Sequence, residues 1–198
     1  RGKVQGDWGE QVLTNILRDS GLREGQEFFV QDNVKDDEGK NLRPDVVVHG
    51  ADGSRIIIDS KVSLTAYSDY VGAENDEQRK VAIKANHDSI WKHVDELSKK
   101  NYDRLVENAV PIVLMFVPNE GSYILAMNHD PSLGSKAYQK GVIIINPTNL
   151  MVVLRLIFLT WQNTRQEKNY EAIRKAAAGI YEKYTSFAES YLALGRQI

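Results

Sequence analysis

Arg43-Pro44-Asp45-Val46-Val47-Val48 and Ile56-Ile57-Ile58-Asp59-Ser60-Lys61 flank a short polar break, and the way they pair decides the fold. Each is an apolar, β-branched run with an acid at one end. Strand interiors hold few acids. Two acids and a lysine in neighbouring strands therefore need a reason. A divalent cation held by carboxylates, with a lysine beside it, supplies one.

The break, His49-Gly50-Ala51-Asp52-Gly53-Ser54, is a dense turn signal and makes the two runs an antiparallel hairpin. Side chains alternate faces along a strand, so Asp59 and Lys61 point the same way. A register that opposes Asp45 to Asp59 centres the turn on Asp52 and implies an odd-length loop. It gathers both acids and Lys61 on one face. A two-residue turn at Asp52-Gly53 would instead oppose Asp45 to Ser60 and split the acids across the sheet. A shared site thus requires the wider, bulged turn.

A third acid stands upstream. Gly2 to Asp19 reads as a helix, with Val4, Trp8, Val12, Leu13, Ile16 and Leu17 at helical spacing. Glu10 falls at the edge of that apolar arc, and Gly6 and Gly9 lie within it. Each glycine costs about 1 kcal/mol of helix propensity but allows close packing on a sheet. Glu10 would then look along the interface towards the hairpin. Taken alone, it reads as a solvated helix acid.

At this point the ordered set Glu10, Asp45, Asp59 and Lys61 resembles the active-site pattern of the PD-(D/E)XK nuclease superfamily. More specifically, the chain resembles the DNA recombination protein RmuC family. The matching stretches are Gln5-Gly6-Asp7-Trp8-Gly9-Glu10, Arg43-Pro44-Asp45-Val46-Val47-Val48, Ile58-Asp59-Ser60-Lys61-Val62-Ser63-Leu64, Met115-Phe116-Val117-Pro118-Asn119-Glu120 and Asn146-Pro147-Thr148-Asn149-Leu150. They span nearly the whole chain. Ser60 departs from the small alanine expected there, without disturbing the acids.

The resemblance implies a metal-dependent DNA phosphodiesterase acting in DNA recombination or rearrangement. Asp45, Asp59, the Ser60 backbone carbonyl and Glu10 would hold Mg²⁺ or Mn²⁺, and Lys61 would orient the attacking water. The alternative is a catalytically weak or inactive DNA-binding or scaffolding module on a nuclease fold, since fold alone does not establish activity. A membrane anchor and a coiled coil are implied outside this sequence. The chain is thus expected to be an excised core domain, cytoplasmic itself, with membrane contact only through segments absent here.

The 198 residues, 42% hydrophobic, suffice for one domain with a substantial core. With no cysteine, disulfides, zinc-thiolate sites and cysteine nucleophiles are excluded. The net charge of −2 and pI near 6.1 are not the global signature of a nucleic-acid binder, so DNA contact would need a local basic patch. The longest apolar stretch, Leu150 to Leu159, is too short to span a bilayer and contains Arg155.

Further elements follow the hydrophobic pattern. Phe28 to Gln31 reads as a short strand, Val62 to Tyr70 as a connector or short helix, and Asp76 to Lys100 as a helix. In that helix Val81, Ile83, Ile90, Trp91, Val94 and Leu97 mark the apolar face, and Lys80, Lys84, Lys92, Lys99 and Lys100 decorate it, a pattern that reads as a solvated surface rather than a DNA-binding stripe. Ile112 to Val117 and Val142 to Ile145 read as buried strands, and Tyr123 to Met127 as a strand or short helix. A helix starts near Thr148, a plausible N-cap. From Gln166 to Leu194 an apolar stripe of Ile173, Ala177, Ile180, Tyr184, Phe187 and Tyr191 continues, the pattern of a bundle or coiled-coil seam.

The expected fold is α/β (α+β), a mixed central β-sheet flanked by helices, restriction-endonuclease-like in the sense of the superfamily resembled. The expected organisation is a single domain over 1–198, with 163–196 a long C-terminal helical segment capable of weak homo-oligomerisation. Arg43 reads equally as a phosphate contact or a strand cap. Trp8 reads as core rather than a base-stacking platform, and Arg155 as a buried arginine paired with a core acid rather than one facing a DNA phosphate. Glu120 is a further candidate because it follows a strand end.

Overall fold

The computed structural model describes residues 2–30, 34–35, 41–42, 44–60, 64–102 and 106–195. The chain divides into two compact units, Arg1–Phe158 and Leu159–Ile198. The first unit contains a five-stranded mixed sheet in the order β1 (Phe28–Val30), β4 (Val46–His49), β5 (Arg55–Asp59), β6 (Ala109–Phe116) and β7 (Val142–Ile145). The β1–β4 and β4–β5 pairs are antiparallel, and β5–β6 and β6–β7 are parallel. β2 (Val34–Lys35) and β3 (Asn41–Leu42) form a separate small ladder.

Helices supply the crossovers that parallel strands require. α2 (Thr65–Val71) and α3 (Asp76–Ser98) join β5 to β6. α4 (Glu120–His129) and α5 (Leu133–Gln139) join β6 to β7. α1 (Gly2–Asp19) precedes the sheet, and α6 (Pro147–Gly195) follows it.

Both sheet faces are buried, the usual consequence of parallel strands with helical crossovers. On one face Ile57, Val113, Met115, Val142 and Ile144 cluster with Ile90, Val94 and Leu97 of α3, Ala126 of α4, and Leu133 and Ala137 of α5. The alternate residues Val46, Val48, Ile58, Leu114, Phe116 and Ile145 are equally buried on the other face. There α1 approaches closely. A Cβ built on Gly9 would lie 3.1 Å from Ser60 Oγ and 3.3 Å from Pro118 Cγ. Only glycine leaves that spacing relaxed. Gly9→Val, whose branches reach past those contacts, is expected to cost about 1–3 kcal/mol through overpacking. Thermal unfolding checks this, and an unchanged Tm would show that the contact gives way.

Several sequence expectations meet corrections. Trp8 is 40% exposed and is not a core residue. α3 buries Ala82, Asn86, Ile90, Val94 and Leu97, while Val81 faces out at 63% exposure. Asn86 is admitted to the interior because its amide donates to the Ser122 carbonyl and its Oδ1 accepts from Ser122 Oγ. Pro111 lies inside β6 rather than before it. The β5–β6 register shifts there, between Arg55 and Ile57, and such an irregularity is where a strand tolerates proline.

Arg155 is exposed, with its guanidinium 5.1 Å from the centroid of the Phe158 ring. α6 buries Leu150 and Leu154, and the helical period turns Arg155 towards water. The N-cap of α6 is Asn146, not Thr148: Asn146 Oδ1 accepts from Asn149 N at 2.9 Å. Tyr123 to Met127 is helical, as part of α4.

In the second unit, Tyr170, Ile173 and Ile180 are about 70% exposed. The stripe residues Tyr184, Phe187 and Tyr191 have side chains outside those described. No helix among the described residues is long and apolar enough to cross a membrane.

Candidate active site

The hairpin register is the one that brings the acids together. Val46 opposes Ile58, Val47 opposes Ile57, Val48 opposes Ile56 and His49 opposes Arg55, leaving residues 50–54 as an odd-length loop. The turn is held by Asp52, whose Oδ1 accepts from Ser54 N at 2.9 Å and from Ser54 Oγ at 2.6 Å. Continued by one residue, the register sets Asp45 opposite Asp59. Both acids lie on the face covered by α3, at the end of the hairpin away from the loop.

Asp45 Oδ2 accepts from the Ser60 backbone N–H at 2.6 Å, across the two strands. Asp59 is 3% exposed. Its Oδ2 accepts from Lys100 Nζ at 3.0 Å and from the Tyr102 hydroxyl at 3.3 Å. Lys100 Nζ also donates to the Tyr102 oxygen at 3.1 Å. Ser60 points to the opposite face, towards Gly9, and its buried Oγ has no hydrogen-bond partner among the described residues.

The electrostatics follow from this crowding. Burial pushes the Asp45 carboxyl up to about 7, with the Asp59 charge adding to the rise and the Ser60 amide opposing it. Glu10, on α1 beside Gly9, contributes a further upward push on Asp45. Burial alone would depress Lys100, but Asp59 and Tyr102 outweigh it and hold the ammonium above the ordinary lysine value. Burial and the Asp59 charge push the Tyr102 hydroxyl up to about 12, against the opposing pull of Lys100. At neutral pH the site therefore holds a charged lysine and a neutral tyrosine, both on one carboxylate oxygen.

The sequence-derived set is thus brought together in part. Asp45, Asp59 and Ser60 adjoin one another, and the charge of Glu10 reaches Asp45. Among the described residues no three acidic or histidine side chains are gathered closely enough to hold a metal ion. Lys61 and Arg43 lie outside the described residues.

Glu120 belongs to a different constellation. Its Oε2 accepts from Asn146 Nδ2 at 2.7 Å, and its Oε1 accepts from Thr148 N at 3.1 Å and Thr148 Oγ1 at 2.8 Å. It braces the start of α6 while standing in the first turn of α4, where Asn119 is the cap.

Lys100 and Tyr102 are the site residues that sequence reasoning missed. Counted as helix decoration, Lys100 in fact follows the end of α3. Asn101 takes a left-handed φ of 46°, a conformation asparagine tolerates better than most residues. That turn lets Lys100 and Tyr102 reach the same oxygen. The available signal was Lys99-Lys100-Asn101 at a helix end, where asparagine often stops the helix.

The donor set suits an oxygen-preferring divalent cation. Two carboxylates in register are what Mg²⁺ commonly takes from protein, with water completing its shell. The ammonium already seated on Asp59 marks a place where positive charge is stabilising.

A sequence model of the RmuC family matches residues 1–198. Curated relatives include the "DNA recombination protein RmuC homolog" of Vibrio cholerae, 39% identical over 98% of this chain and 38% of that protein. The "DNA recombination protein RmuC" of Escherichia coli K12 is 36% identical over 99% of this chain and 42% of its own length. The homolog of Pseudomonas aeruginosa is 35% identical, over 99% and 44% respectively. The chain thus spans about two fifths of the length of these relatives.

Proposed function

The chain belongs to the RmuC family, and on that premise we propose that it is the metal-dependent DNA phosphodiesterase core of a DNA recombination protein, of the PD-(D/E)XK kind. The observation that carries this reading is the hairpin register, which puts Asp45 and Asp59 side by side at the end of buried strands. DNA as substrate is supported by the names of the relatives.

Asp45, Asp59 and the Ser60 carbonyl would hold Mg²⁺ or Mn²⁺, with Glu10 acting on the pair by charge or through water. The ion, when bound, supplies Lewis-acid polarisation of a phosphate oxygen and eases ionisation of water. Asp45 exchanges its proton near neutral pH, so it would give up that proton on loading. Tyr102 keeps Asp59 oriented by donating to Oδ2. Lys61, at the position the superfamily pattern assigns to a lysine, would orient the attacking water, and Arg43 would contact phosphate.

Hydrolysis of single-stranded, duplex and branched DNA in Mg²⁺ or Mn²⁺ is the test. Activity in the wild type that falls at least about 100-fold in Asp59→Asn and in Lys61→Ala is the expected result. Divalent cation should also raise the Tm of the wild type and leave Asp59→Asn nearly unmoved. Equal metal responses in the two proteins would remove the ion from this site.

A second reading, a DNA-binding or scaffolding module with little cleavage, is favoured by one observation. Asp59 is already neutralised by Lys100, and no third acid closes the site among the described residues. DNA retention without turnover, unaffected by Asp59→Asn, would select it. The exposed Ile173 and Ile180 also support weak self-association through α6. Sedimentation should show it weakened by Ile180→Glu, and a strict monomer at high concentration would exclude it.

A further inference from the structure

We propose that Lys100 is the resident counter-cation of the acid pair: it holds the divalent ion's place on Asp59 and must leave when an ion binds. This deepens the metal-site reading above and rests on it. Lys99 and Lys100 are neighbours with opposite fates. Lys99 pairs with Asp95 on the surface, its side chain 73% exposed. The Lys100 side chain is 23% exposed and bonds Asp59 Oδ2. The left-handed Asn101 separates Lys100 from Tyr102 and lets both reach that oxygen.

An ammonium 3.0 Å from Oδ2 occupies the lone-pair region that an inner-sphere cation would use. The two positive charges also repel at short range in a poorly solvated site. Both therefore do not share the oxygen. Tyr102 is neutral and bonds the same oxygen, so it can stay and keep Asp59 in place when Lys100 departs. The lysine stem is flexible and partly reached by solvent, so departure does not strand a charge in the core. Released from Asp59, the tethered ammonium is available to a phosphate oxygen of the bound substrate.

A purely structural salt bridge predicts the reverse outcome. If Lys100 only fixed Asp59 in position, removing it would loosen the carboxylate and weaken ion binding.

Calorimetric titration of the metal-free protein with Mn²⁺ separates the two roles. Lys100→Gln removes the charge but leaves an amide able to donate a hydrogen bond, and Lys100→Met removes both charge and donor. Either variant is expected to bind Mn²⁺ about tenfold more tightly than the wild type, equivalent to about 1.4 kcal/mol. Lys100→Arg, which keeps the charge, is expected to bind no more tightly than the wild type. In the wild type, acetylation of Lys100 followed by mass spectrometry should rise on adding Mn²⁺. Wild-type binding with equal or weaker binding in Lys100→Gln, and no change in Lys100 acetylation, would overturn this proposal alone. Absence of Mn²⁺ binding in every protein would overturn the metal site with it.

Discussion

Asp45→Asn is expected to raise the Tm of the metal-free protein at pH 8 by roughly 5 °C, and to do so progressively less as the pH falls towards 4. The cause is the raised carboxyl. Asp45 titrates at about 7 in the fold, against an ordinary value of 3.8. Below about pH 4 both folded and unfolded chains keep the proton, so the group costs nothing. Between about 4 and 7 the unfolded chain has ionised while the folded one still holds its proton, so stability falls as pH rises. Above about 7 the penalty is complete.

The full displacement corresponds to roughly 4 kcal/mol. Solvent access to a partly open carboxyl reduces this, and roughly 2 kcal/mol is a realistic figure. Asparagine removes the ionisation but keeps an oxygen that can accept from the Ser60 amide. Calorimetric melting in EDTA across pH 4.5 to 8.5 measures the effect. Parallel stability curves for the two proteins would show that Asp45 ionises without cost.

The same variant separates stability from function. In the proposed enzyme a divalent ion would favour the ionised Asp45 that burial and the Asp59 charge disfavour, so the wild type should recover stability on loading. Asp45→Asn should be more stable without metal and gain little from it. A residue that destabilises its own fold in this way is typical of sites kept for chemistry.

The hairpin shows why part of this site was legible. Loop parity and side-chain alternation are discrete, so a register is either right or wrong by a whole residue. The choice between a two-residue turn and an odd loop fixed whether Asp45 met Asp59. β7 was equally plain because Val142 to Ile145 is a continuous apolar run ended by Asn146-Pro147. α5 was not anticipated: Leu133–Gln139 is short, contains Gly134, and buries only Leu133 and Ala137.

What escaped the sequence depended on tertiary partners. Asn86 looks like a surface residue until Ser122 is placed against it. Lys100 looks like one more exposed lysine until α3 ends two residues earlier and Asn101 turns the chain. Arg155 looked buried because its neighbours along the chain are apolar. Yet Met151, Val152 and Leu156 are exposed beside it, and local hydrophobicity overstated how much of α6 is covered. In each case the deciding contact lies far away in sequence or on the far side of a helix.

Glu120→Ala is expected to destabilise the protein by roughly 3 kcal/mol and lower its Tm by roughly 6–10 °C. One carboxylate there serves two helix starts. It sits in the first turn of α4 and accepts from Thr148 N and Oγ1 in the first turn of α6. Negative charge is favoured at both ends by the orientation of their peptide dipoles. The same carboxylate accepts from Asn146, which is 8% exposed and caps α6 through its other amide atom. Alanine would strand the Asn146 amide, costing about 1–3 kcal/mol, and would remove the acceptor at α6, costing about 1 kcal/mol more. Glu120→Gln keeps one acceptor oxygen and should lose about half as much. Because Glu120 braces helices and does not contact the acid pair in this arrangement, Glu120→Gln should retain the wild-type thermal response to Mg²⁺. A Tm for Glu120→Ala within a degree of the wild type would dismiss the brace, and loss of the Mg²⁺ response in Glu120→Gln would move Glu120 into the metal site.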